Sequence, residues 1–311
     1  MNKSILILVI LSIILFYGCT QQIQVIPQEQ PELISETVTI TGAAGSLQQL
    51  TIKGPDEFPA SLSPDFQWLL MDVVDSEGHK AIYKLNLKNQ SKVIMTTKSS
   101  NSTGGVWVPD MSGIIFSTDR SGNNVIAQSL GVSGEVGARF ITTPSLGNAL
   151  FPDITSDGKD IAFSLFSSID NNQINIIDSS GTNLRVFGPG WSPQFSPDNR
   201  EICFVQKVGN DIHIFTMNAG NGANLTQLTS GNSQDLGPTW SPDGKKIAFS
   251  SNSSGKHRHL FIINSTGQNV IQLTDGNFDV RNSKWGKDGY IYFAANAGNN
   301  WDVWRLKLKS Q

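Results

Sequence analysis

The sequence predicts an all-β fold, a six-bladed propeller of four-stranded blades. Three observations carry this: one hairpin motif, its recurrence, and the spacing of the copies. The motif is Gly237–Ser251, GPTWSPDGKKIAFSS, a short strand ending on Trp240, a Ser-Pro-Asp-Gly turn, and a strand alternating into Ile247 and Phe249. Proline presets φ for the second turn position, and Asp and Gly are well tolerated in tight turns. Five relatives lie at 60–73, 105–118, 152–165, 193–206 and 283–296. Their turn aspartates, Asp65, Asp110, Asp157, Asp198, Asp243 and Asp288, are separated by 45, 47, 41, 45 and 45 residues. A period in the low to middle forties with several strands per unit marks propeller blades.

The amino terminus reads Met-Asn-Lys and then a predominantly apolar run, Ile5–Tyr17. Its length suits the hydrophobic region of a secretory signal better than a membrane span. Gly18 precedes Cys19, as in a lipoprotein cleavage box, so residues 1–18 are expected as signal peptide and Cys19 as a lipidated first residue. An ordinary signal is the alternative, and an uncleaved anchor, a third, leaves the same topology. Residues 19–36 are polar and bear Gln and Pro, which fits a tether. Residues 37–311 form the expected propeller, placed outside the cytoplasm.

Within each unit, strand a ends on Leu62, Trp107, Ile154, Phe195, Trp240 or Trp285. Strand b follows the turn, as in KIAFS and EICFV. Strand c lies at 81–86, 125–130, 173–178, 213–218, 259–264 and 302–307, and strand d appears in TQLT (226–229) and IQLT (271–274). β-Branched and aromatic residues alternating between Gly/Asn/Ser turns are what such strands need. The sixth unit ends after strand c. Its missing strand is sought in QQLT (48–51), which matches the TQLT pattern and would close the ring beside 302–307, covering an edge. TVTITG (37–42) is a further strand candidate.

Repeats of the form P-x-W-S-P-D-G-K-x-I-A-F, then x-I-Y-x-x-N, then Q-L-T, resemble the TolB-like propellers of the PD40 and WD40-like repeat families. They are also similar to propellers that precede the catalytic domain of prolyl-oligopeptidase-type peptidases. The resemblance covers about 45–311 and implies a six-bladed ring with a binding role in the cell envelope. TolB carries an α/β domain ahead of its blades and is periplasmic and soluble; here a tether precedes them.

Composition narrows the function. Net charge is −3 with 16% charged residues, which provides no basic field for nucleic acid. Two cysteines, Cys19 and Cys203, permit no disulfide framework, and Cys203 on an alternating strand reads as a small buried hydrophobe. No nucleophile elbow, HExxH, phosphate loop or dinucleotide fingerprint appears.

If the large strand-a residues are buried between blades, alternation aims the preceding residues at the central channel. These are Ser61, Val106, Asp153, Gln194, Thr239 and Lys284, with Asp153 and Lys284 on opposite blades; Asp153, Gln194, Thr239 and Lys284 are candidates for a polar channel that holds ions or a ligand, or else belong to a water-filled pore with incidental charges. The d–a loops carry Asp56, Glu57, Asp235 and Asp279, with Arg281 beside them. These are candidate calcium ligands, a surface for a basic partner, or simply loop charges and caps. Trp191 in GPGW (188–191) is either an aromatic platform at the mouth or packing under a tight turn. His257 and His259, two apart on a strand, share a face and make a metal site conceivable, but with His79 and His213 on other blades exposed hairpin polarity is the better reading, and the repeated aspartates read as turn fasteners.

The sequence thus points to a monomeric, lipid-anchored, non-enzymatic scaffold binding a protein or envelope partner, with no required cofactor. The alternatives are a polysaccharide lyase or hydrolase, or a small-ligand or sugar sensor, at the channel mouth.

Overall fold

The computed structural model describes residues 45–308, apart from 53, 130, 132–136, 169, 170 and 299. The expected signal, Cys19, the tether and the 37–42 strand lie outside the described residues. No helix among the described residues is long and apolar enough to cross a membrane.

The chain opens with β1 (Gly45–Gln49). Blade 1 holds β2 (Asp56–Leu62), β3 (Trp68–Val74), β4 (Lys80–Asn86) and β5 (Lys92–Ile94). Blade 2 holds β6 (Ser102–Trp107), β7 (Ile114–Ser121), β8 (Asn123–Gln128) and β9 (Arg139–Phe140). Blade 3 holds β10 (Asn148–Ile154), β11 (Asp160–Ser168), β12 (Asn171–Asp178) and β13 (Arg185–Pro189). Blade 4 holds β14 (Trp191–Phe195), β15 (Glu201–Val208), β16 (Asp211–Asn218) and β17 (Thr226–Gln227). Blade 5 holds β18 (Leu236–Trp240), β19 (Lys246–Ser251), β20 (His259–Asn264) and β21 (Ile271–Gln272). Blade 6 holds β22 (Val280–Trp285), β23 (Tyr290–Ala295) and β24 (Asp302–Leu308). Each blade is a four-stranded antiparallel meander, and β1 supplies the fourth strand of blade 6.

Local chemistry repeats with the blades. The turn serines Ser63, Ser196 and Ser241 donate to Asp65, Asp198 and Asp243 at 2.6–2.7 Å and accept the amide N–H groups of Trp68, Glu201 and Lys246. The turn aspartates therefore hold turns. At the other end of the blade, the threonine closing strand d accepts an N–H from strand c. Thr96 takes Ile82, Thr142 takes Ile126, Thr229 takes Ile214, and Thr274 takes Leu260, each at 2.9 Å. Thr51 takes Val303 in the same way, also at 2.9 Å, while Leu50 N–H donates to Val303 C=O. The amino-terminal strand is thus a true strand d, split from its blade only in sequence.

The core lies between blades. One apolar cluster joins blades 1 and 2 through Leu70, Ile82, Trp107 and Phe116, and another joins 3 and 4 through Ile174, Ile176, Ile202 and Phe204. The seam of blades 6 and 1 joins Tyr292 and Val303 to Leu69, Met71 and Leu50. Trp240 crosses to donate its indole N–H to Gln194 C=O of blade 4. Cys203 is fully buried, and burial pushes its thiol well up. The short 41-residue step has a cause: β13 runs into β14 with only Gly190 between them, where a Cβ would lie 2.6 Å from the Phe204 ring.

Candidate functional site: the channel and its wide mouth

Strand a of every blade carries a bulge. The register against strand b slips by one residue between Pro59 and Ser61, Thr103 and Val106, Leu150 and Asp153, Trp191 and Gln194, Leu236 and Thr239, and Arg281 and Lys284. In five blades the residue six before the turn aspartate is left-handed: Gly104 (φ 66°), Phe151 (55°), Ser192 (54°), Gly237 (58°) and Asn282 (53°). In blade 1 that residue is Pro59, whose ring forbids positive φ. Bulges re-aim strands, and bulky residues held at positive φ store strain. These six residues ring a cavity of about 450 Å3 at the d–a end of the channel.

A smaller cavity of about 260 Å3 opens at the opposite end, beside the Ser-Pro-Asp-Gly turns. It is lined by Ser61, Val106, Asp153, Gln194, Thr239 and Lys284. Ala60, Val106, Gln194 and Lys284 line both cavities and so form the waist.

The channel is charged at that waist. Asp72 on β3 and Asp153 on β10 each have a carboxyl pushed up to about 6, first by burial. Hydrogen bonds pull the other way: the Gly104 N–H reaches the Asp72 oxygens at 2.9 and 3.0 Å, and the Phe195 N–H reaches Asp153 at 2.7 Å. Burial holds Lys284 below its usual range, against the attraction of Asp153 and Asp72. All three are partly buried and line the channel cavities, so protein dominates their surroundings. The charged residues of the wide mouth are Asp72, Lys80, Arg281 and Lys284. The Arg281 guanidinium lies over Trp301 at 4.5 Å, and Trp301 packs on Phe58 at 5.5 Å.

The acidic d–a loops differ from the expected convergence. Asp56 accepts the Trp301 N–H at 3.0 Å, and Asp279 accepts the Arg258 N–H at 2.7 Å; each clasps the start of strand c in the preceding blade. Glu57 is 1% exposed and pairs with Lys92 at 2.5 Å. Asp235, 2% exposed, accepts from Ser251 at 2.6 Å and Ser233 at 3.2 Å and pairs with His213 at 3.1 Å. None of these four carboxylates lines the wide mouth, whereas Arg281 does. No group of three or more His, Cys, Asp or Glu side chains among the described residues is placed to hold a metal ion. Trp191 is half-buried and packs with Ile212 against the cluster of Cys203, Val205 and Trp240, away from both cavities. His213 and His259 are buried, a correction to their expected exposure: the first meets Asp235, the second meets Phe278 edge-on. His79 remains exposed.

Sequence reasoning missed Asp72, Lys80 and the bulge ring. The signals were present in Asp72 interrupting the apolar run LLMDVV, and in Gly or Asn recurring six residues before turn aspartates.

Fold and channel together define a six-bladed propeller with an open, charged axial channel. The PD40 family model, described as the TolB beta propeller domain, matches residues 149–311, just over half of the chain, and the chain belongs to this family. Among solved structures, a TolB from Agrobacterium tumefaciens is 22% identical, with TM-score 0.61 over 71% of this chain and 81% of that one. TolB from Acinetobacter baumannii is 19% identical, with TM-score 0.57 over 83% of this chain, which spans only 64% of the Acinetobacter protein. An oligogalacturonate lyase in complex with manganese is 13% identical, with TM-score 0.57 over 88% of this chain and 96% of that one. These likenesses concern the fold.

Proposed function

We propose that the protein is a binding scaffold whose wide channel mouth receives an extended segment of a protein partner. One observation carries this reading: a rigid ring of bulged strands, strained at Phe151, Ser192 and Asn282, surrounds a cavity of about 450 Å3. Phe151 is 44% exposed there despite its size and its positive φ. Left-handed non-glycine residues cost about 1–3 kcal/mol each and gather at functional sites. The TolB relatives support a protein partner and a place outside the cytoplasm. The partner is a protein or other envelope component, and nucleic acid is not among the ligands.

The protein is further proposed to be monomeric and held at the membrane by lipid on Cys19, without a cofactor. Cys19→Ser is expected to release the body from membranes or block processing; a cleaved variant that still fractionates with membranes would contradict the anchor. Since Asp56, Glu57, Asp235 and Asp279 are engaged within the fold, added calcium is expected to leave Tm unchanged; a calcium-dependent rise would contradict this. The carbohydrate-active alternative expects His and Glu beside Arg at the mouth, and the described residues lining it include neither His nor Glu.

The scaffold reading is tested by capturing partners from the native envelope with wild-type protein and with Phe151→Gly/Arg281→Gln. A specific partner retained by the first and lost by the second is expected. Equal capture by both would move the binding face elsewhere.

A further inference from the structure

Three cations face the wide mouth from two adjoining blades: Lys80 from blade 1, and Arg281 and Lys284 from blade 6. No carboxylate oxygen of the described residues lies within 4.0 Å of their nitrogens. Among the described residues lining the mouth the one carboxylate is Asp72, which is turned to the Gly104 amide. Elsewhere several acidic side chains meet a basic one: Glu57 with Lys92, Asp160 with Arg185, Asp235 with His213. A chain of net charge −3 therefore places three cations, none in a direct ion pair, at one opening of its channel, where Asp72 balances Lys80 and Lys284 only at longer range.

We infer that the wide mouth takes a carboxylate of an acidic peptide segment, held by Lys80, Arg281 and Lys284. The inference rests on the scaffold reading and gives that site its ligand chemistry. Arg281 is pre-organised, because Trp301 stacks beneath its guanidinium and Phe58 supports Trp301. Planar guanidinium groups suit carboxylates, and a fixed one loses little freedom on binding. Lys284 stands on the far side of the Asn282 bulge, at the waist, so the cations are arranged in depth from rim to floor. An entering chain meets Arg281 and Lys80 first and Lys284 last.

The opposite wall decides the class of ligand. Blades 2 to 4 face the cavity with Val106, Leu150, Phe151, Pro152 and Pro193. A sugar acid carries a hydroxyl on most of its carbons, and each one desolvated against such a wall would lose its hydrogen bond. A peptide can turn an acidic side chain to blades 6 and 1 and apolar side chains to blades 2 to 4. Its backbone can meanwhile pair with polar side chains of the mouth, such as Thr103, Ser192 and Asn282.

The test uses the full-length protein and two pools of end-capped hexapeptides. One pool carries a single Glu among Ala, Pro, Val and Phe; the other carries Gln in its place. Binding is read by fluorescence anisotropy, with inorganic phosphate and an oligogalacturonate as competitors. The Glu pool is expected to bind, the Gln pool about tenfold more weakly, as loss of one charge-assisted hydrogen bond implies. Arg281→Gln and Lys80→Gln, both on exposed side chains, should each weaken the Glu pool about tenfold while leaving Tm near wild type. Rising salt should weaken it further. Equal binding of the two pools, no effect of Arg281→Gln, or displacement by oligogalacturonate or phosphate better than by peptide would overturn the inference. If a partner is still captured through the mouth while the pools bind alike, only the acidic chemistry falls. If Glu peptides bind but no partner depends on the mouth, the scaffold reading falls instead.

Discussion

Single residues in this protein repeat their work blade by blade, and departures from the repeat mark the channel. Thr274 satisfies the buried Leu260 N–H, so Thr274→Val leaves that donor without a partner. An unsatisfied buried amide costs about 1–3 kcal/mol, and chemical denaturation should show a loss in that range. Thr51→Val should cost a similar amount despite lying near the other end of the chain, because it serves Val303 identically. Asp72, Asp153 and Asp302 break the pattern: burial pushes each carboxyl up to about 6 from 3.8. A carboxyl whose pKa rises on folding favours the folded state in its protonated form. Its contribution is complete below about 3.8 and is lost as pH climbs through about 6. Asp153→Asn keeps the acceptor for Phe195 and removes the titration, so the fall in Tm between pH 4 and pH 7 should become shallower than in wild type. An unchanged pH profile would contradict the burial of Asp153. Lys284→Met removes the charge that holds both channel carboxyls down, and should shift the same profile to higher pH.

At the scale of elements, the strands were largely legible and the bulges were not. Strand a ends where the sequence placed it, on Leu62, Trp107, Ile154, Phe195, Trp240 and Trp285, because large apolar residues before a Ser-Pro-Asp-Gly turn leave few alternatives. Channel facing followed from alternation, and the six residues expected there line the narrow cavity. Alternation fails across a one-residue slip, however, so nothing in a simple period of two places Phe151 on the wide mouth; Arg281, expected there from its place beside the d–a loop, does line it. The acidic loops misled for another reason. A carboxylate that clasps a neighbouring blade's amide has the same spacing in sequence as one that faces solvent. The bulge itself is testable: at Gly104 a Cβ would enter the left-handed region 3.2 Å from the Pro152 ring. Gly104→Ala should cost about 1–2 kcal/mol from conformation alone. Phe151→Gly should stabilise or be neutral while removing an exposed ring from the mouth. A destabilising Phe151→Gly would contradict stored strain at that position.

The whole molecule is a ring closed by its own ends, since β1 completes blade 6 and Asp302 accepts from Gln49 at 3.0 Å across the seam. Closure at one seam keeps all six blades in register around the axis, and that register makes a channel with two unlike mouths. Deleting residues 45–51 should expose the β24 edge, unravel blade 6 and cause aggregation; an equally stable, soluble deletion would contradict the seam. Partners are proposed to enter through the wide mouth. Photocrosslinking in the native envelope tests it directly, with the reactive side chain at Asn282 on the wide mouth or at Lys287 beside the narrow one. A discrete protein adduct is expected from position 282 and none from 287; adducts from 287 alone, or equally from both, would contradict entry through the wide mouth.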